Sequence, residues 1–128
     1  MQLVLRVVLA LLGALFLFIG LGFLTDPVTT GGDFGLSPKG NAGLSPIRGD
    51  MTAFFWVSGG ALLYGVWKQR GEVFYVTAAL MGIVFCARCL SLALDGTYEG
   101  WAPPMAVEAV TVILCFVGAR AMRGPATT

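Results

Sequence analysis

Four stretches of the chain stay apolar for about the thickness of a membrane, and short polar clusters separate them. A bilayer core about 30 Å thick calls for roughly 20 residues of helix, because each residue advances about 1.5 Å and lipid satisfies no bare backbone group. Residues 3–24, 51–67, 73–94 and 103–122 fit this requirement, the second falling slightly short. The pattern predicts an all-α, polytopic membrane protein, with residues 1–128 forming one four-transmembrane-helix domain. Each span has a physical stop or start. Thr25-Asp26-Pro27 ends the first, Lys68-Gln69-Arg70-Gly71 the second and Asp95-Gly96 the third, while Pro103-Pro104 suits the first turn of the fourth. The opening run is too long for a secretory signal and has no small-x-small site before Asp26, so it is expected to remain as a span.

The polar connections set a direction. Lys68, Arg70, Arg120 and Arg123 fall on one side together with Arg6, which makes that side cytoplasmic and places Met1 and Thr128 there. The opposite side holds Asp26, Asp33, Asp50, Asp95 and Glu99 against Lys39 and Arg48 alone. Tyr64, Trp67 and Tyr75 mark the inner interface, and Tyr98 and Trp101 the outer one. The outer connection, residues 25–50, repeats Gly-Leu-Ser-Pro at Gly35–Pro38 and Gly43–Pro46, which reads as two Ser-Pro turns in a loop. Alternatively, Leu36, Leu44 and Ile47 dip that loop into the interface as a cap.

Aligning Gly13 with Gly82 superposes Val7, Phe16 and Asp26 on Val76, Phe85 and Asp95, as two tandem helical hairpins would. Apolar helices also align by composition alone. The two halves differ where Arg88 stands opposite Ile19.

Composition narrows the chemistry. The 128 residues are 57% hydrophobic and 12% charged, with a mean hydropathy of +0.84, so lipid is the expected solvent. A net charge of +1 leaves no basic surface for nucleic acid. The chain has no histidine, which removes the commonest general base and metal ligand. No metal or cofactor is implied, and the balance leans away from an enzyme. Cys86, Cys89 and Cys115 lie in apolar runs and are expected to be reduced and buried.

Arg88 and Glu108 should reach the same depth on neighbouring spans. A lone charge near the bilayer centre costs about 2.5 to 3.5 kcal/mol, so Arg88 should turn inward toward a partner, and Glu108 is available. At helical spacing Ser91 and Asp95 share the face of Arg88, and Thr111 that of Glu108. Arg48 and Asp50 at the outer mouth of the second span would close over this polar stripe. Three readings stay open: an ion pair fixing helix register, an outward pocket where Arg88 and Arg48 bind an anionic group, and a proton-coupled role for Glu108. Cys86-Ala87-Arg88-Cys89 is formally a C-x-x-C, but it sits mid-helix with no relay pair. Small residues for close helix packing are the simpler reading, with Ala78, Gly82 and Cys86 as one stripe, Gly59, Gly60 and Gly65 thinning the second span, and Gly13 and Gly20 the first.

These residues carry a resemblance. Ile47-Arg48-Gly49 before a glycine-bearing span, Ala87-Arg88-Cys89-Leu90-Ser91 followed by Asp95-Gly96, and Glu108 in the last span resemble the bacterial domain-of-unknown-function family 4345. The likeness covers most of the chain from Arg48 onward, with a looser match in the first span. Pro46 and Ser58 depart from the acidic residue and the aromatic typical of the family at those places. The resemblance implies a multi-pass protein of the bacterial inner membrane with Arg48, Arg88, Asp95 and Glu108 as its polar signature, and it assigns no activity. The expected function is non-enzymatic: binding a lipid-like or amphiphilic anion, or serving as an accessory subunit of a membrane complex. The expected partners are membrane lipids, a second copy of the chain, or a larger complex docked on the glycine faces. The alternatives are a small proton-coupled transporter using Glu108 and a membrane thiol oxidoreductase using Cys86 and Cys89.

Overall fold

The computed structural model describes residues 1–123; the expectation for Thr128 lies outside them. These residues form five α-helices in the order α1 (Gln2–Thr25), α2 (Pro27–Asp33), α3 (Gly40–Lys68), α4 (Phe74–Asp95) and α5 (Ala102–Ala121), with a 3-10 turn at Gly71–Val73 before α4. Three segments, Gln2–Thr25, Gly71–Asp95 and Ala102–Ala121, are long and apolar enough to cross a membrane. Large apolar side chains also stand exposed around the perimeter, among them Leu11 and Phe18 on α1, Ile83 and Leu94 on α4, and Val110 and Ile113 on α5. Such a belt belongs in lipid rather than water. The protein is therefore a membrane protein.

The helix ends follow from local chemistry. Asp26 caps α2 by accepting a hydrogen bond from the Thr29 amide at 3.2 Å, with Pro27 at the first helical position. Hydrogen bonding from Thr29, its side chain first and its amide second, holds the exposed Asp26 carboxyl below its ordinary pKa. Gly96 ends α4 at a φ of +88°, a conformation open to glycine.

The connection at 25–50 differs from the expected loop. It contains α2 and the first turns of α3, which begins at Gly40 and runs through Pro46. Pro46 lies inside α3, so Ser45-Pro46 makes no turn; there its missing N–H forfeits one intrahelical bond and its ring crowds the carbonyl one turn before it. Of the residues expected in a cap, Leu36 and Ile47 pack onto the core from this segment, joined by Phe34, whereas Leu44 does not and borders a pocket with Arg48 instead.

The helices assemble as two antiparallel hairpins, α1 with α3 and α4 with α5. α3 lies against α4 and α1 against α5, which puts α1 and α4 on one diagonal and α3 and α5 on the other. Two tandem hairpins related by an axis along the bundle would sit this way.

Glycines decide how closely the helices approach. α1 and α3 cross at Gly13 and Gly59, where a Cβ on Gly59 would stand 2.6 Å from the Gly13 carbonyl oxygen. Beyond the crossing, Trp56 Nε1 donates to the Leu17 carbonyl at 3.1 Å and Thr52 Oγ1 to the Gly20 carbonyl at 3.3 Å. The end that carries Lys68, Arg70 and Arg120, the basic end, is densely filled. There the Phe74 ring is fully buried against Gly65 and Gly118, and the Gly71 amide donates to the Met122 carbonyl at 2.8 Å.

The hairpins are joined by the buried Thr77, whose hydroxyl donates to the Ser58 carbonyl at 2.7 Å. Thr77→Val keeps the shape and removes this bond, so it should cost about 1 kcal/mol, the typical size of an interhelical hydrogen bond in a membrane. Unfolding of the purified protein in mixed detergent micelles measures it.

Candidate functional site

The opposite, acidic end is more open. Arg88 on α4 and Glu108 on α5 meet there, with Arg88 Nε donating to Glu108 Oε1 at 2.7 Å. The Arg88 side chain is 30% exposed and that of Glu108 only 9%, so the carboxylate is the buried partner. Its second oxygen, Oε2, is also buried and makes no hydrogen bond among the described residues. Arg88 Nη1 reaches the Tyr98 hydroxyl at 3.4 Å from the α4–α5 connection.

Arg88 and Glu108 stand in the wall of a cavity of about 840 Å³. The remaining wall is apolar, built from all four long helices and the cap, with Phe16, Phe34, Phe54, Phe55, Met81 and Val107 on it. The aromatic residues brace one another: the Phe34 and Phe55 rings meet edge to face with centroids 5.6 Å apart, and Phe23 stacks on Phe55 at 5.8 Å. Two kinds of rim bound the cavity. At the acidic end lie the exposed Asp50, Ser91 and Pro103, and on the flank lie the exposed Ile83 and Ala87 of α4.

The other residues expected at the site fall in several places. Ser91 donates to Asp95 Oδ2 at 3.1 Å, leaving Asp95 exposed beyond the rim. Thr111 is buried and donates to its own helix at the Val107 carbonyl, 2.7 Å away. It faces a separate apolar groove between α1 and α5. Arg48 does not join Arg88. It donates to the Leu24 carbonyl at 3.1 Å and borders a different pocket with Thr52 and Trp56. The cause is geometric: residues 48 and 50 lie within α3, and two positions on a helix are about 200° apart, so Asp50 and Arg48 face opposite ways.

The same rotation exposes two cysteines. With Arg88 turned to the cavity, Cys86 and Cys89 face the perimeter and are exposed, contrary to the expectation of burial, whereas Cys115 is buried. All three are free thiols. Nor do Gly82 and Cys86 form a tight seam, since a Cβ on Gly82 would touch only Val112, at 4.0 Å.

Sequence reasoning missed Tyr98 and the phenylalanine wall. Tyr98 carried a signal, because a short connection after α4 keeps its hydroxyl within reach of the last turns. Phe34 carried none, since it meets Phe55 only because the segment after α2 folds back as a cap.

A family model described as "Domain of unknown function (DUF4345)" matches residues 4–119. No curated protein and no solved structure matches the chain.

Proposed function

The chain belongs to the DUF4345 family of domains of unknown function, and from that premise we propose a non-enzymatic, four-span protein of the bacterial inner membrane that binds an amphiphile in its Arg88–Glu108 cavity. The observation that carries this reading is the mixed wall: an apolar volume of drug or lipid-chain size with one charged pair set into it. α3 supplies the fourth span. Its polar Thr52 and Ser58 are buried inside the protein, so the face it turns to lipid is more apolar than its composition. With Arg6, Lys68, Arg70, Arg120 and Arg123 directed to the cytoplasm, Met1 lies inside and the cavity opens in the outer half of the bilayer.

Mass spectrometry of protein extracted with its native membrane tests the reading. Wild type should carry a lipid that Arg88→Ala loses, and wild type carrying none would end it. Arg48→Ala, which removes a cap on α1 rather than a cavity group, should leave the retained lipid unchanged.

A proton-coupled transporter has the unpartnered Glu108 Oε2 in its favour. Against it, an occupied ion pair is a poor proton carrier. Proton release dependent on Glu108 on addition of substrates would favour the transporter. Docking of a second copy or a larger complex on glycine faces has less to use: Gly13, Gly59, Gly65 and Gly118 are taken up by contacts within the chain, and Gly60 is left facing outward.

A further inference from the structure

We infer, resting on the amphiphile-binding reading above, that the occupant this cavity selects is a zwitterionic lipid whose head group carries both an anionic phosphate and a primary ammonium, as phosphoethanolamine does. Glu108 is more than nine-tenths buried, and only one of its oxygens is engaged by Arg88. The free oxygen is an acceptor without a donor, and a buried acceptor without a donor is costly. It has almost no accessible surface, so an ammonium N–H satisfies it once the Glu108 carboxyl turns toward the cavity that the residue lines.

Charge balance points the same way. Arg88 and Glu108 already neutralise each other, so a bare anion would leave the site net negative in a low-dielectric setting, where uncompensated charge is most unfavourable. A zwitterion keeps the sum at zero. Its phosphate meets the part of the Arg88 guanidinium that remains exposed, beside the Tyr98 hydroxyl. A quaternary choline head carries the same charges and no N–H, so it leaves Glu108 Oε2 unsatisfied. The phenylalanine and methionine walls take acyl chain, which distinguishes a lipid from a free head group.

The test reconstitutes the full chain in nanodiscs holding equal mole fractions of phosphatidylethanolamine, phosphatidylcholine and phosphatidylglycerol with identical acyl chains, then reads the lipid retained after release into detergent. Phosphatidylethanolamine should exceed each of the others by about tenfold, the effect of one charge-assisted hydrogen bond. Glu108→Gln keeps the shape but gives the site a net positive charge, and should turn the preference toward phosphatidylglycerol. Soluble phosphoethanolamine should not displace the bound lipid. Equal retention of the three lipids, a wild-type preference for phosphatidylglycerol, or an unchanged ranking in Glu108→Gln would each overturn the inference while leaving amphiphile binding intact. Full displacement by soluble phosphoethanolamine would reassign the site to a free zwitterion and overturn the lipid assignment. No retained lipid of any kind would overturn both readings.

Discussion

Arg88→Ala should destabilise the protein by about 3 kcal/mol, the lower end for breaking a buried ion pair, because Glu108 stays behind as an unpaired charge. The lower end applies because Arg88 is itself 30% exposed. The double substitution Arg88→Met with Glu108→Leu removes both charges and fills similar volume, so it should recover most of that loss. The two variants separate structure from function. If the pair serves only helix register, the double variant should keep whatever lipid wild type retains; if it holds a head group, the double variant should be stable and empty. Unfolding in mixed micelles supplies the first measurement and retained lipid the second.

The second large effect belongs to the crossing of α1 and α3. Gly59→Val should cost about 3 kcal/mol, at the upper end for overpacking. A Cβ there would stand 2.6 Å from the Gly13 carbonyl oxygen and 3.1 Å from the Leu17 amide nitrogen. Both neighbours are backbone, so no rotamer change relieves the clash and the helices must separate. Its neighbour is the control. Gly60 has nothing within 4 Å of an added Cβ, so Gly60→Ala should be neutral or gain up to about 1 kcal/mol from helix propensity. Equal losses at the two positions would place the sensitivity in α3 itself rather than in the crossing.

What could be read from the sequence tracks how local each cause is. α1, α4 and α5 begin and end within a residue or two of the expected bounds, because Asp26-Pro27, Asp95-Gly96 and Pro103-Pro104 act on their own backbone. α3 was foreseen only over 51–67, whereas it starts at Gly40. Pro46 and its glycine neighbours favour turns in isolation, and packing of Phe34, Leu36 and Ile47 against the buried core overrides that preference. The Arg88–Glu108 contact follows from depth along two neighbouring helices, a quantity that sequence spacing supplies. The place of Arg48 does not, because it depends on the rotation of α3, and that rotation becomes defined only when the segment before Met51 is known to be helical. The outward turn of Cys86 and Cys89 is the same problem on α4: assigning Arg88 to the interior already implies it.

The dense basic end and the open acidic end give the cavity one further property. Its flank rim at Ile83 and Ala87 lies on the apolar perimeter of α4, not at the polar end of the helices. A molecule arriving by that side comes from the surrounding leaflet and never meets bulk water. Occupancy then depends on the mole fraction of that molecule among its neighbouring lipids, a two-dimensional concentration, and its aqueous solubility drops out of the equilibrium.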